Sequence, residues 1–193
     1  MFDAILSIII GYVLGSIPFG LIFGKLIWQT DLRDYGSCNI GATNAWRVIG
    51  KSAGILVFLF DFLKGFIPVL IAMHLSGSAV VHVLAAIAAI GGHSASLFLH
   101  FKGGKGVATG LGVLTMLMPI VSLVAFLVWL ALVYTTRFVS LGSCAAALLV
   151  SVMTCLMNYP TPYLIFAILA TILIIYRHKA NLERLLDGTE NRI

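Results

Sequence analysis

Aspartate, glutamate, lysine and arginine are absent from three long stretches of this chain, 65–101, 106–136 and 138–176. At about 1.5 Å per helical residue, each is long enough to cross a hydrocarbon core of about 30 Å at least once. Inside such a core the backbone must satisfy its own N–H and C=O groups, and a helix does so segment by segment. Across the 193 residues only 10% are charged and 61% are hydrophobic. A soluble domain averages roughly 25% charged residues. The expectation is an all-α integral membrane protein, with residues 1–193 forming one compact domain and no room for a large soluble one.

The spans follow from where the charges return. Ala4–Gly24 is the first, and Gly15, Ser16, Pro18 and Gly20 predict a kink or a close helix contact in its inner half. Ser52–Leu75 is the second. It carries Asp61 and Lys64 at a spacing that permits an ion pair inside the membrane, which reads either as a functional site or, with slightly more weight, as a structural pair facing the bundle. Ala79–His100 is the third. Val107–Thr136 runs well past the roughly 20 residues a single spanning helix needs. Splitting it near Pro119 into two short helices, the fourth and fifth, returns Arg137 and Arg177-His-Lys179 to the side that holds Lys25, Arg33, Arg47 and Lys51. Val139–Asn158 and Tyr163–Tyr176 complete a seven-transmembrane-helix bundle. The positive-inside rule then puts the N-terminus outside and the C-terminus in the cytoplasm. The tail Arg177–Ile193 is expected to continue as an interfacial helix, with His178, Asn181 and Arg184 on one face.

Several function classes drop out. The net charge of +5 is dispersed at the ends of apolar runs, so no basic patch suits nucleic acid. The three cysteines, Cys38, Cys144 and Cys155, have no metal-binding spacing. Only seven residues are acidic, which leaves a metal or nucleotide–magnesium site without ligands. Asp31 and Asp34 read as loop charges beside Arg33. No metal and no cofactor are expected. The opening residues lack the basic region and cleavage site of a signal peptide, so the first segment reads as a retained helix.

Four polar clusters are expected at one membrane face: Ser37–Arg47, His93–Thr109, Ser140–Ser143 and Arg177–Glu190. The second holds Lys102-Gly-Gly-Lys-Gly106, in which glycines let backbone N–H groups gather and lysines supply point charges for phosphate. It is not a Walker A loop, because the spacing fails and no strand precedes it. Two readings fit these residues alone, an anion cradle or lysines that merely mark topology. His93 reads by itself as a core histidine, and His74, His82 and His100 carry no functional signal. Ser37, Asn39, Thr43 and Asn44 are ordinary loop formers singly, but with Gly36, Gly41 and Arg47 they resemble a second phosphate cradle.

Three stretches taken together are more specific. They are Ser37-Cys-Asn-Ile-Gly-Ala-Thr-Asn-Ala-Trp-Arg47, Gly92-His-Ser-Ala-Ser-Leu-Phe-Leu-His-Phe-Lys-Gly-Gly-Lys-Gly-Val-Ala-Thr109 and Ile175-Tyr-Arg-His-Lys-Ala-Asn-Leu-Glu-Arg-Leu-Leu-Asp-Gly-Thr-Glu190. In this order they resemble the three motifs of the bacterial membrane acyl-phosphate:glycerol-3-phosphate acyltransferases, the PlsY family. The resemblance covers the whole chain. One departure is Cys38, where the family pattern leads one to expect glycine.

The resemblance implies transfer of a fatty acyl group from acyl phosphate to the 1-hydroxyl of glycerol 3-phosphate, giving lysophosphatidic acid and inorganic phosphate. It implies a bacterial inner-membrane enzyme, monomeric among membrane lipids, with its site at the cytoplasmic face. The implied catalytic residues are Lys105, His178, Asn181 and Ser143. Substrate binding falls to Ser37, Asn39, Gly41, Thr43, Asn44, Arg47, His93, Lys102, Gly103, Gly104, Gly106, Thr109 and Arg177.

Acyl phosphate is an activated anhydride, so positioning the alcohol and stabilising charge are the main tasks. No histidine has an aspartate five residues later, and His178 and Glu183 are separated by about 500° of ideal helix. That argues for proton removal by a phosphate oxygen of the donor. The competing class is a membrane transporter for an organic phosphate, disfavoured by the lack of an inverted repeat.

Overall fold

The computed structural model describes residues Met1–Ile193, and all regular structure in it is helical. By internal packing the chain falls into two compact units, Met1–Met116 and Leu117–Ile193. Five helical segments are long and apolar enough to cross a membrane, or up to six when a pair bent by 56° is counted as one span. Large apolar side chains point outward along them, such as Ile9, Leu59, Leu127 and Ile172, each about half exposed. An apolar exterior over polar interior contacts is the arrangement a bilayer favours, and the chain is a multi-pass membrane protein.

In the first unit, α1 (Phe2–Ser16) and α2 (Phe19–Trp28) are one apolar run broken at Ile17–Pro18. Proline lacks an N–H, so the carbonyls before it lose helical partners. Side chains elsewhere in the unit supply replacements: Ser96 Oγ donates to the Ser16 carbonyl at 2.5 Å, and Lys64 Nζ donates to the Ile17 carbonyl at 2.8 Å. The kink expected from Gly15–Gly20 is therefore present and tied down. Helix α1 lies so close to α5 (Ala79–Ser94) that a Cβ on Gly15 would collide with the Ala89 carbonyl. Small residues at such contacts are what allow membrane helices to approach.

Residues 29–50 hold the short helix α3 (Ala42–Val48) and pack on α4 (Lys51–Leu75). Leu32, Ala45, Ala53 and Val57 form a buried cluster there, flanked by Phe23, Trp28 and Val48. Helix α5 ends at Ser94, earlier than the expected His100. The next residues turn through a 3-10 segment at Leu97–Leu99 and an irregular loop into α6 (Val107–Leu117). Helix α6 crosses α4 closely, since a Cβ on Gly65 would meet the Thr109 carbonyl.

The second unit consists of α7 (Pro119–Thr136), α8 (Val139–Leu156), α9 (Thr161–Arg177) and α10 (Lys179–Leu186). The break at Met118–Pro119 falls where the sequence placed it. Only α6 is short, however. With 18 residues, α7 is long enough to span by itself. Helices α8 and α9 are joined by polar contacts: Thr171 Oγ1 donates to the Ala147 carbonyl at 2.6 Å and lies 2.9 Å from Ser151 Oγ. The tail differs from the expected continuous helix. It ends at Leu186, turns at Gly188 with φ +72°, and runs back until the Ile193 N–H donates to the Arg137 carbonyl at 3.0 Å.

Candidate active site

In the 29–50 segment the organising side chain is Asn44, which is 1% exposed. Its Nδ2 donates to the carbonyls of Leu32 (2.9 Å), Tyr35 (3.1 Å) and Asn39 (2.9 Å), and its Oδ1 accepts the Ser37 N–H at 2.9 Å. Two amide protons shared among three carbonyls leave none to offer a ligand. Asn44, expected in the substrate cradle, is here engaged in shaping its own loop. Asn39 is similarly engaged, its Oδ1 accepting the Gly41 N–H at 2.9 Å. Ser37 is exposed, while Thr43 and Arg47 are half-buried on α3. Cys38, where the family pattern has glycine, is exposed and takes the left-handed conformation with φ +53°.

Nearby, Asp31 accepts from Arg33 Nη2 at 2.7 Å and pairs with Lys25 at 3.0 Å. The Arg33 hydrogen bond is the main reason its carboxyl lies well below the usual carboxylate range, against an opposing effect of burial. Asp31 is thus occupied as a loop charge.

The Lys102–Gly106 loop wraps His93. The Gly104 N–H donates to the His93 carbonyl at 3.1 Å, and a Cβ on Gly104 would collide with His93 Nε2. Gly103 sits equally close to the His93 carbonyl, and Gly106 has φ +81°, so the loop needs its glycines. Lys102 is exposed and Lys105 half-buried. Two expected binding residues are buried here. His93 is 4% exposed and lies between the loop and Asp61, and Thr109 is fully buried against α4. His93 supports the loop from beneath.

The second unit carries its own polar cluster. His178 is 3% exposed where α9 meets α10, and its Nδ1 lies 2.8 Å from the Ile174 carbonyl. A carbonyl only accepts, so the neutral ring has its proton on Nδ1 and Nε2 is the acceptor. Arg177 beside it is half-buried. Ser143 is 2% exposed, donating to the Val139 carbonyl at 2.8 Å and accepting from Trp129 Nε1 at 3.3 Å. Asn181 donates to Glu190 Oε1 at 2.6 Å, Ser140 Oγ donates to the same oxygen at 2.9 Å, and Arg184 Nε donates to Oε2 at 2.9 Å. Burial raises the Glu190 pKa, but these hydrogen bonds and the Arg184 charge outweigh it and leave the carboxyl below its ordinary value. Sequence reasoning placed Glu190 in a motif without giving it a role. Its position two residues after Gly188, which ends the tail helix, was the available signal.

The glycerol-3-phosphate acyltransferase profile matches residues 5–188. The chain belongs to that family. A curated glycerol-3-phosphate acyltransferase of Aquifex aeolicus (strain VF5) is 47% identical, with 98% of both chains covered. Another, from Endomicrobium trichonymphae, is 46% identical over 100% of this chain and 97% of that one. Among solved structures, the glycerol 3-phosphate form of PlsY (YgiH), an integral membrane glycerol 3-phosphate acyltransferase, matches with TM-score 0.95 and 46% identity. It covers 98% of this chain and 95% of that one. The lysophosphatidic acid form matches with TM-score 0.91 and 45% identity, with the same coverage.

Membership gives the glycine-rich loop and the Asn44-built segment a common context. Both are polar segments of an otherwise apolar chain. Their chemistry, backbone N–H groups and cations with little competing carboxylate, suits anionic groups.

Proposed function

We propose that this protein, acting as one domain over residues 1–193, transfers a fatty acyl group from acyl phosphate to the 1-hydroxyl of glycerol 3-phosphate. The products are lysophosphatidic acid and inorganic phosphate. The observation that carries the reading is the Lys102–Gly106 loop, whose glycine backbone is moulded onto His93 in a chain of the glycerol-3-phosphate acyltransferase family. The names of the relatives supply the substrate. The glycerol 3-phosphate and lysophosphatidic acid forms of the solved PlsY structures correspond to an acceptor and a product.

In the proposed chemistry the glycerol hydroxyl oxygen attacks the acyl carbonyl carbon. The bond from that carbon to the phosphate oxygen breaks, and the hydroxyl proton leaves on the phosphate. The donor is already activated, so the chain's work is to orient the alcohol and to hold charge. Lys105 and the loop N–H groups face the developing negative charge. Ser37, Gly41 and Thr43 contribute to holding phosphate in the first unit, on a segment shaped by Asn44 and Asn39, with Arg47 and Lys102 as cations. In the second unit His178, Arg177, Asn181 and Ser143 serve the acceptor. The partner of His178 Nδ1 is a main-chain carbonyl rather than a carboxylate, so this contact is not the Asp–His pair of a histidine base. This supports an anchoring role and a phosphate oxygen as proton acceptor.

The same reading gives a monomer in the bacterial cytoplasmic membrane with seven spans, N-terminus outside, C-terminus inside and chemistry at the cytoplasmic face. The decisive experiment incubates purified protein with acyl phosphate and glycerol 3-phosphate, without added metal, and measures released phosphate and lysophosphatidic acid. Neither product, together with glycerol 3-phosphate uptake by liposomes containing the protein, would make it a transporter instead.

A further inference from the structure

We propose that His93 is a positioning residue for the Lys102–Gly106 loop and that the buried Asp61–Lys64 pair holds it in place. The inference rests on the reading above, in which this loop receives an anionic substrate.

Asp61, Lys64 and His93 are only 2%, 4% and 4% exposed. Ionisable groups at such depth are expensive in a membrane protein unless they are paired. Asp61 Oδ1 lies 2.7 Å from Lys64 Nζ, so the two charges match and the cluster adds no net charge. Lys64 is itself fixed from the far side. It donates to the Ile17 carbonyl at 2.8 Å and sits 5.8 Å from the centre of the Phe19 ring. The carboxylate therefore has one position, set by the break between α1 and α2.

His93 Nδ1 approaches the same Asp61 oxygen at 3.8 Å, an electrostatic contact longer than a hydrogen bond. With the negative charge on that side, the neutral ring carries its proton on Nδ1 and turns Nε2, the acceptor, the other way. That edge meets Gly104, at a spot where no Cβ fits. The His93 carbonyl takes the Gly104 N–H as well. One residue thus grips the loop twice, through its ring and through its main chain. The ring's orientation is set by charges on α4 and, through Lys64, by the broken first helix. Asp61 and Lys64 touch no reacting atom; they act through His93.

Two readouts test this in the full-length protein: hydrogen exchange of the 103–107 amides, and the split between KM for acyl phosphate and kcat. Asp61→Asn should speed exchange in the loop and raise KM about tenfold, with kcat within about threefold. His93→Gln can still place a polar group near the Nε2 position, whereas His93→Asn reaches only the Nδ1 position. The Gln variant should therefore hold KM close to wild type and the Asn variant should not. If Asp61→Asn fails to fold, Gly104→Ala displaces the ring from the loop side and should give the same rise in KM. Unchanged exchange and KM in Asp61→Asn with only a lower melting temperature would overturn the proposal, as would equal KM values for His93→Gln and His93→Asn, or an unchanged KM in Gly104→Ala. A wild-type protein that forms no product would sink the functional reading instead, and loop exchange would still decide the positioning role.

Discussion

Asn181 donates its side-chain amide to the Glu190 carboxylate across 2.6 Å, linking α10 to the segment that doubles back beside it. The same carboxylate takes a hydroxyl from Ser140 on α8 and a guanidinium from Arg184. Three donors from two helices therefore meet on one acidic side chain, in a chain with only seven Asp and Glu.

Removing that acceptor should loosen the tail. Glu190→Ala leaves Ser140 and Asn181 without their buried partner and is expected to lower stability by about 2–4 kcal/mol. Glu190→Gln keeps an acceptor but loses the ion pair, and should fall between. Thermal unfolding in detergent measures both, and a Glu190→Ala melting curve matching wild type would contradict the assignment.

The same site predicts a pH response. Because the folded-state pKa of Glu190 is depressed, its contribution is complete above the ordinary glutamate range and is lost as pH falls through the lower folded value. Protection of the 187–193 amides should be full at neutral pH, begin to fall as the pH drops through the ordinary glutamate range, and be lost below the depressed folded value. In Glu190→Gln that transition should disappear.

Asn44 carries the first loop. Asn44→Ala would strand the buried carbonyl of Leu32 together with those of Tyr35 and Asn39, at a cost of about 3 kcal/mol. Loss of activity should come with loss of protection in 32–44, measurable by proteolysis. A stable, inactive Asn44→Ala protein would instead point to direct substrate contact.

Cys38 offers the opposite sign. At φ +53° a residue with a Cβ costs about 1–2 kcal/mol relative to glycine, so Cys38→Gly should stabilise the protein by about 1 kcal/mol. A lowered melting temperature would show that the thiol makes a contribution of its own.

Between the two lysines of the glycine loop, Lys105 should matter more. If it holds charge in the transition state, Lys105→Gln should reduce kcat by about 10²–10³-fold. Lys102 is exposed, and Lys102→Gln should change rates less than about tenfold, mainly through KM. Steady-state kinetics of the two variants side by side settle the order.

These features were unevenly legible in the sequence. The breaks at Pro18 and Pro119 could be read because proline's effect is local, and the spanning segments could be read because charge is absent over long stretches. The early end of α5 was hidden. Ser94 and Ser96 are tolerated in membrane helices, so the sequence carries no stop signal there, and the bond from Ser96 to the Ser16 carbonyl of α1, eighty residues away, is visible only in the fold. The sequence singled out Asn44 but not its hold on Leu32, Tyr35 and Asn39, since these partners lie at irregular spacings that no periodicity reveals. The Asp61–Lys64 pair could be read from spacing alone, whereas its tie to His93 depends on how α4 and α5 pack.

Helix α6 has a consequence for how the protein is made. Its 11 residues rise only about 16 Å, roughly half of a hydrocarbon core, and the Leu117 and Met118 that end it are buried. A nascent segment of that length is too weakly hydrophobic to be recognised as a span when it leaves the ribosome. It must wait for Pro119–Thr136 and partition with it, so residues 107–136 enter the bilayer as one integration event. A chain cut after Leu117 would be expected to leave α6 outside the lipid, stripping α4 of the helix that Gly65 makes room for.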